Sequence, residues 1–280
     1  MNHFQIRFWG VRGSIAAPGP ATAGVGGNTS CVEVRCGEQL FVLDAGTGLR
    51  GLGDELMRRG ERRAELLLSH LHWDHIQGLP FFVPLYVPGT ELVLHGPDWG
   101  EAGLGGALRR QMSAPGFPVE FADVGARVEL SELRQGSRVL RGDVSITAAR
   151  LNHPGGVLGY RIEYGGRTLV YATDTEHHDH VDATLRDLAQ GADVLIYDAQ
   201  YTPEEYPTKV GWGHSTFDAG VALARAAGVK RLALFHHDPR RADDAVFAIE
   251  ERARRSFADT LAAREGMVID LSGGGVAQAA

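Results

Sequence analysis

The chain has 280 residues, 44% of them hydrophobic, which is enough to bury a sizeable core without disulfides or a partner subunit. The net charge is −7 and no basic run is present, which argues against a protein built to hold long nucleic acid. No stretch of about 18 apolar residues occurs, which excludes a membrane-spanning helix, and the N-terminus lacks the pattern of a signal peptide.

The first predicted elements form a glycine-rich β region. Residues 4–9 alternate as a strand, and the runs at 32–36 and 40–43 predict a hairpin. Leucines at helical spacing predict a helix over 49–59 that covers one face of the sheet.

The two cysteines, Cys31 and Cys36, fall at the second predicted strand. If they share that strand, they lie about 16 Å apart at about 3.3 Å per residue, which is beyond the reach of a disulfide. We therefore predict two buried thiols in a reducing compartment, and hence a cytoplasmic protein.

Five short apolar runs follow, and each leads into a histidine or an aspartate. Such runs predict buried strands. The runs are 65–69, 144–151, 168–173, 193–197 and 231–235, and they lead into His70, His153, Asp174, Asp198 and His236. Because open sheets place ligands at the carboxyl ends of their strands, we expect these side chains to converge.

Helical patterns lie between several of these strands, at 181–190, 218–228 and 241–256, with Asp218 as the expected N-cap of the second. The segment 96–125 holds seven glycines and three prolines. It predicts either a surface excursion that serves as a lid or plain connecting loops. We expect all of these elements to form a single domain over residues 1–280.

The motif HLHWDH at 70–75 supplies three imidazoles and one carboxylate directly after a buried strand. His70 and His72 are two residues apart, so in an extended stretch their rings point the same way. Asp74 and His75 follow where the chain must turn. This donor set suits zinc, iron or manganese, and the alternative is a solvated histidine-rich loop.

One such cluster cannot close two metal sites, so further ligands must come from elsewhere. The candidates are His153, Asp174, and either His236 or His237. Taken singly, each has an ordinary alternative as a loop histidine or a capping aspartate. Their positions at successive strand ends favour the metal site.

A second group of histidines lies at 177–180, in the sequence HHDH. These residues are nearly consecutive and cannot all face one point on a helix, so we predict that they are exposed or lie at the rim of the site.

Taken together, HLHWDH, FWGVRGSIAAPGP, GGNTSCVEV, LDAGTGLR, YATDTEH, GWGHST and LFHHDP resemble the metallo-β-lactamase superfamily. Within it they resemble the branch that contains RNase Z, the PhnP-type phosphodiesterases and bacterial cyclic-nucleotide phosphodiesterases. The resemblance covers essentially the whole chain. It implies an α+β fold, an αββα four-layer sandwich with two mixed sheets face to face and helices outside.

The resemblance also implies two divalent metal ions, with zinc favoured over manganese or iron. The ligands that it implies are His70, His72 and His153 for one ion, Asp74, His75 and His236 for the other, and Asp174 as a bridge. We choose His236 over His237 because the last ligand of this branch usually comes first after the strand. Neighbouring residues of an extended chain point oppositely, so only one of the two can face the metals.

We predict His214, Asp198 and Asp74 as the catalytic residues. Two metals about 3.5–4 Å apart can bridge a water and present it as a hydroxide nucleophile. His214 in GWGHST matches the position of a catalytic histidine in RNase Z-like enzymes, where it would act as general acid. Asp198 matches the acidic residue that supports it. The alternative for His214 is a residue of a helix-capping loop.

Two further residues have open roles. Asp44 in LDAGTG either accepts a hydrogen bond from a metal-bound histidine or is a turn aspartate. Arg12 in WGVRGS either contacts phosphate or is held by a carboxylate elsewhere, which is the more common case.

The favoured function is hydrolysis of a small phosphodiester, above all a cyclic nucleotide, by a metal-bridging hydroxide. Trp212 and Tyr201, next to His214, are the aromatic residues that we expect to stack on its nucleobase. The expected partner is that small substrate, with no membrane and no long nucleic acid, and a homodimer is compatible with the sequence. The alternatives are an RNase Z-like tRNA 3′-processing endonuclease, a thioester or lactam hydrolase on the same fold, and a non-catalytic metal- or nucleotide-binding protein.

Overall fold

Two mixed β-sheets lie face to face and carry helices on their outer faces. The computed structural model describes residues 3–100, 103–273 and 275–278. The first sheet has eight strands in the spatial order β15-β14-β1-β2-β3-β4-β5-β6. Its strands are β1 Phe4–Gly10, β2 Cys31–Cys36, β3 Gln39–Leu43, β4 Arg63–Leu67, β5 Glu91–Pro97, β6 Arg127–Leu133, β14 Met267–Asp270 and β15 Val276–Gln278.

The second sheet has seven strands in the order β13-β12-β11-β10-β9-β8-β7. Its strands are β7 Arg138–Arg141, β8 Val144–Leu151, β9 Val157–Tyr164, β10 Arg167–Ala172, β11 Val194–Asp198, β12 Arg231–Phe235 and β13 Thr260–Ala262. The helices are α1 Gly48–Arg59, α2 Trp73–Ile76, α3 Leu104–Gln111, α4 Ala183–Ala189, α5 Phe217–Ala226 and α6 Asp243–Ser256. No helix among the described residues is long and apolar enough to cross a membrane.

Three apolar clusters separate the four layers. The central cluster fills the space between the sheets, where Phe8 and Tyr171 both pack on Phe235. A second cluster lies between the seven-stranded sheet and α4, α5 and α6. A third lies between the eight-stranded sheet and α1, whose leucines at helical spacing are buried as expected. The predicted αββα sandwich is therefore confirmed.

Most predicted elements occur within one or two residues of their predicted bounds, and two differ. The N-cap of α5 is Thr216, whose hydroxyl accepts a hydrogen bond from the Ala219 amide, so Asp218 lies inside the helix. The segment 96–125 contains α3, whose Leu104 and Leu108 are buried in the outer cluster. Residues 101 and 102 of that segment lie outside the described residues, and its role as a lid stays a prediction.

The two sheets bring parallel strands to one end of the sandwich. Strands β3, β4 and β5 pair in parallel in one sheet, and β10, β11 and β12 do so in the other. Three residues just beyond these strands, Asp44, Asp174 and His236, have positive φ angles of 59°, 50° and 59°. The chain therefore turns sharply at the carboxyl ends of β3, β10 and β12, and these turns form the site described next.

Candidate metal centre

The first cluster of ligand atoms consists of His70, His72 and His153, whose ring nitrogens lie within 4.8 Å of one another. His70 follows β4 and His153 follows β8, so the two sheets each contribute. The rings of His70 and His72 have centroids 4.3 Å apart, as expected for residues two apart in an extended stretch. Nε2 of His153 lies 3.1 Å from Nδ1 of His72.

The second cluster consists of Asp74, His75, Asp174 and His236, all of them buried. The short helix α2 begins after His72 and carries Asp74 and His75. The Nε2 atoms of His75 and His236 lie 3.2 Å apart, and Oδ2 of Asp74 is 3.3 Å from each. These four donors come from three strand ends and converge on one point.

Asp174 lies between the two clusters and turns one carboxylate oxygen to each. Its Oδ1 is 3.2 Å from Nε2 of His75 and 3.1 Å from Nε2 of His236. Its Oδ2 is 3.6 Å from Nε2 of His70 and 3.9 Å from Nε2 of His153. This is the arrangement that a bridging carboxylate between two metals requires.

The histidines are oriented by acceptors on their outer nitrogens. Nδ1–H of His75 donates to Oδ2 of Asp44 at 2.8 Å. Nδ1–H of His236 donates to Oε1 of Gln200 at 3.0 Å, and Nδ1–H of His153 donates to the carbonyl of Gly213 at 2.8 Å. Because the protons are on Nδ1, the Nε2 lone pairs point into the clusters.

Asp44 organises more than one of these ligands. Besides the His75 ring, it accepts the Ser69 hydroxyl at 2.8 Å and the Tyr171 hydroxyl at 2.7 Å. The Ser69 oxygen is then free to accept Nδ1–H of His70 at 3.1 Å. Of the two roles considered for Asp44, support of a metal-facing histidine is therefore the one that the geometry shows.

These lone pairs need a cation between them. The Nε2 atoms of His75 and His236 face each other at 3.2 Å, and Nε2 of His70 is buried without a hydrogen-bond partner. Facing lone pairs repel, and an unpartnered buried nitrogen costs about 1–3 kcal/mol. Imidazole and carboxylate donors suit a divalent metal such as zinc, so the residues present fit two metal ions.

The pKa shifts within the two clusters also favour a bound cation. Burial and the nearby His75 hold the pKa of His70 well below its ordinary value, so that ring is neutral and free to coordinate. Burial would lower the pKa of His75 as well, but Asp174 and Asp74 outweigh it and raise the pKa well above its ordinary value. Burial would raise the pKa of Asp174, yet His236 and His75 lower it well below its ordinary value. The site therefore attracts positive charge.

His214 stands beside the clusters and is held by Asp198. Its Nδ1–H donates to Oδ2 of Asp198 at 2.8 Å, and that nitrogen is 3.9 Å from Oδ2 of Asp174. Burial would lower the pKa of His214, but the charge and hydrogen bond of Asp198 outweigh it and raise the pKa to about 9. Asp198 is itself fully buried and also accepts the Gln200 and Ser215 amides at 3.0 and 3.3 Å.

His236 and His237 point to opposite sides of the chain. His236 faces the second cluster, whereas Nε2–H of His237 donates to the carbonyl of Ala263 at 3.0 Å. Burial lowers the pKa of His237 to about 3, so it stays neutral. The structure thus brings the chosen residue of the pair to the metal centre.

Arg12 is not available to a substrate. The side chain is fully buried, donates to the carbonyls of Gly26 and Arg241 at 2.8 and 2.7 Å, and lies 3.7 Å from the Asp243 carboxylate. It joins the loop before β2 to the loop before α6. The alternative of a phosphate contact for Arg12 is therefore wrong.

The histidines at 177–180 stay outside the metal centre. Nδ1 of His177 lies 2.9 Å from Oγ of Ser215, and the rings of His178 and His180 stack 5.4 Å apart. In the described part of the chain, the groups of three or more converging ligand atoms do not include these histidines. They line a cavity of about 910 Å³ between α4 and α5, which is separate from the clusters.

Sequence reasoning missed several residues that orient the site, among them Gln200, Ser69, Gly213 and Glu176. Gln200 is close to His236 only after β11 and β12 have paired, and nothing in its local sequence marks it. The glycines of GWGHST were a signal that could have been used, because Gly213 has a φ of 85° and a Cβ there would overlap the His153 ring.

The chain is similar to known proteins in both sequence and fold. Residues 40–237 match the family described as "Beta-lactamase superfamily domain". The ribonuclease Z of Synechococcus sp. (strain CC9311) is 29% identical over 330 residues, which cover 96% of this chain and 99% of that protein.

Two solved structures share the fold. The metallo-beta-lactamase fold protein YhfI from Bacillus subtilis superposes with a TM-score of 0.74 at 20% identity, covering 96% of this chain and 100% of that one. A diphosphatase from the PhnP family superposes with a TM-score of 0.69 at 20% identity, covering 95% and 97%. The same two-sheet scaffold therefore recurs over nearly the full length of both chains.

Proposed function

Because this chain belongs to the β-lactamase superfamily, we propose that it is a dinuclear metal-dependent phosphodiesterase that hydrolyses a small phosphodiester, with a cyclic nucleotide as the favoured substrate. The observation that carries the proposal is the position of Asp174, which turns one oxygen to each of two clusters of imidazole and carboxylate donors. The ligands would be His70, His72 and His153 for one metal and Asp74, His75 and His236 for the other.

When bound, two such metals supply the hydroxide nucleophile and neutralise charge on the phosphoryl oxygens. The remaining task is to protonate the leaving oxygen, and His214 is placed for it. Its Nδ1–H is committed to Asp198, which leaves Nε2 to hold the proton that is transferred. Asp198 raises the pKa of His214, which favours the protonated imidazole that a general acid requires.

The surroundings of His214 support a nucleotide-sized substrate. Trp212, two residues away, exposes 59% of its surface, and Nζ of Lys209 lies 4.1 Å from its ring centroid. An exposed indole can stack on a base, and the ammonium adds one positive charge for a phosphate. Tyr201 exposes only 2% of its surface, so the expectation that it stacks on a base is wrong.

A second candidate, tRNA 3′ processing, is favoured by the similarity to the Synechococcus ribonuclease Z over nearly both full lengths. That reaction is also hydrolysis of a phosphodiester. Against it stands the net charge of −7, because binding of a long nucleic acid rests on many contacts of Lys and Arg with phosphates.

The test is to purify the protein, measure its metals, and assay bis-p-nitrophenyl phosphate, 3′,5′- and 2′,3′-cyclic nucleotides and a precursor tRNA. We expect about two divalent ions per chain and turnover of at least one cyclic nucleotide. Asp174→Ala should abolish turnover, and Asp179→Ala, at an exposed position of the same loop, should keep it. Efficient tRNA cleavage without cyclic-nucleotide turnover would establish the second candidate instead.

A further inference from the structure

The loops that carry His153 and Asp174 are tied together at Glu176. The backbone amide of Glu176 donates to the carbonyl of Asn152 at 2.8 Å, and the Asn152 side-chain amide donates to the carbonyl of Glu176 at 2.9 Å. Two hydrogen bonds therefore connect the turns after β8 and β10. Glu176 lies two residues beyond the carboxylate that faces both clusters.

The Glu176 side chain reaches in the other direction, to the loop that precedes His214. Its Oε1 accepts the Gly211 amide at 2.6 Å and the Tyr206 hydroxyl at 2.9 Å, and its Oε2 accepts the Gly213 amide at 2.8 Å. Only 9% of the residue is exposed. Both oxygens are used by three donors of one loop, an arrangement that neither a glutamine nor an alanine reproduces.

Gly213 connects Glu176 to the metal centre. Its amide is held by Glu176, and its carbonyl accepts Nδ1–H of His153 at 2.8 Å. A Cβ at this position would overlap the His153 ring, so the peptide lies directly against it. His214 follows Gly213 directly in the chain, and its ring is held by a hydrogen bond to Asp198.

We infer that Glu176 is a positioning residue: its carboxylate fixes the 206–213 loop, so that the Gly213 carbonyl orients His153 for the metal and His214 is presented to the substrate. The part of this role that concerns His214 rests on the proposed function. The part that concerns His153 does not, because the orientation of a metal-facing imidazole can be measured as metal affinity.

The first test is therefore metal affinity. Glu176→Gln keeps the size of the side chain but turns an NH₂ group towards at least one of the N–H and O–H donors. We expect zinc affinity, measured by competition with a chelating dye, to fall by up to about 10–100-fold, which is the effect of losing the outer partner of a metal-binding histidine completely. The matched control is Glu205→Gln, because Glu205 accepts the Thr202 amide and pairs with Arg241 in the same region.

The second test follows the loop itself. Hydrogen exchange of the peptide that spans 206–213 should become faster in Glu176→Gln and stay unchanged in Glu205→Gln. If Glu176→Gln does not fold, Tyr206→Phe removes one of the three donors and should weaken zinc binding in the same direction by a smaller factor. Wild-type zinc affinity together with wild-type exchange in either variant would overturn the inference.

The third test links the loop to turnover. If Glu176 acts through His214, the losses for Glu176→Gln and His214→Ala on a cyclic nucleotide should not multiply when zinc saturates every variant, and the double variant should then be close to His214→Ala alone. Independent losses would remove this part of the role. If wild-type protein hydrolyses no phosphodiester, the proposed function fails, while zinc affinity and hydrogen exchange still decide the role of Glu176 towards His153.

Discussion

At the scale of single residues, several residues at the site have positive φ angles, which cost conformational energy in residues other than glycine. The non-glycine residues with positive φ among the described positions are Ser14, Asp44, Asp174 and His236. Such residues cost of order 1–3 kcal/mol and persist where the surrounding contacts over-determine them. Here those contacts are the ligand clusters, and the Ser14 amide donates to Oδ2 of Asp74 at 2.7 Å.

The sequence predicted the residues that converge, because strand ends and histidine spacing are local signals. It could not predict which groups hold them. Gln200 and Glu176 act through contacts with residues 36 and 37 positions away, which exist only in the folded chain. For Asp44, local sequence left a turn role and a support role equally open, and only the position of His75 decided between them.

The general-acid role of His214 leads to a prediction that depends on the leaving group. His214→Ala should lower turnover of a cyclic nucleotide by roughly 10²–10⁴-fold, because a ribose alkoxide must be protonated as it leaves. The loss on bis-p-nitrophenyl phosphate should be much smaller, because p-nitrophenolate barely needs a proton. Steady-state kinetics on both substrates, with metal content as control, checks this. An equal loss of turnover on both substrates, together with a lower melting temperature, would show that His214 is not the general acid.

The opposite orientations of His236 and His237 predict different losses. His236→Ala should remove the metal of the second cluster, because the other three donor atoms of that cluster all lie within 3.3 Å of the His236 ring nitrogen. His237→Ala should keep about two metals per chain and lose some stability, because it removes a buried ring that donates to Ala263. Elemental analysis of both purified variants is the measurement, and a greater metal loss in His237→Ala would reverse the choice.

At the scale of elements, the strands that deliver site residues were the predictable ones. The runs 144–151 and 231–235 match β8 and β12 without a shift, because buried strands are continuous apolar runs. The edge strand β6 was not predicted. Most of its residues are exposed, so its sequence lacks the regular alternation of apolar and polar residues that marks a half-buried strand. Strand β13 has three residues and is set by its pairing with β12 rather than by its own pattern.

The N-cap of α5 gives a prediction about helix stability. Thr216→Ala should lower the free energy of unfolding by about 1 kcal/mol, because the hydroxyl accepts the Ala219 amide. Asp218→Ala removes only a charge near the positive end of the helix, so it should cost about 0.3–1 kcal/mol and less at high salt. Denaturant unfolding at low and high salt separates the two. A larger, salt-independent loss in Asp218→Ala would make Asp218 the cap.

At the scale of the whole molecule, the metal centre lies across the seam between the sheets. The HLHWDH residues follow β4 of the eight-stranded sheet, whereas His153, Asp174 and His236 follow strands of the seven-stranded sheet. A ligand that binds only the folded protein stabilises it. Metals bound at this position would therefore join the two sheets of the sandwich as well as serve the proposed reaction.

Metal removal should accordingly lower the melting temperature. At a free metal concentration 100 times the dissociation constant, binding contributes about 2.7 kcal/mol, which for a chain of 280 residues is a shift of several degrees. We expect a chelator to lower the melting temperature, and zinc to restore it in wild type. Asp174→Ala should respond weakly to either treatment. An identical response of wild type and Asp174→Ala would contradict a role of this centre in stability.

The pairing of β1 with β14 has a consequence for how the protein is made. Gln5, Ile6 and Arg7 of β1 pair with Asp270, Ile269 and Val268 of β14. The eight-stranded sheet therefore contains neighbouring strands that are far apart in the sequence. Contacts so distant in sequence form slowly, because a long loop must close before they are gained. On the ribosome, the HLHWDH segment emerges well before its partners at 153, 174 and 236. The nascent chain therefore holds only an incomplete set of ligands, and hydrolytic activity arises late, after synthesis has passed β12.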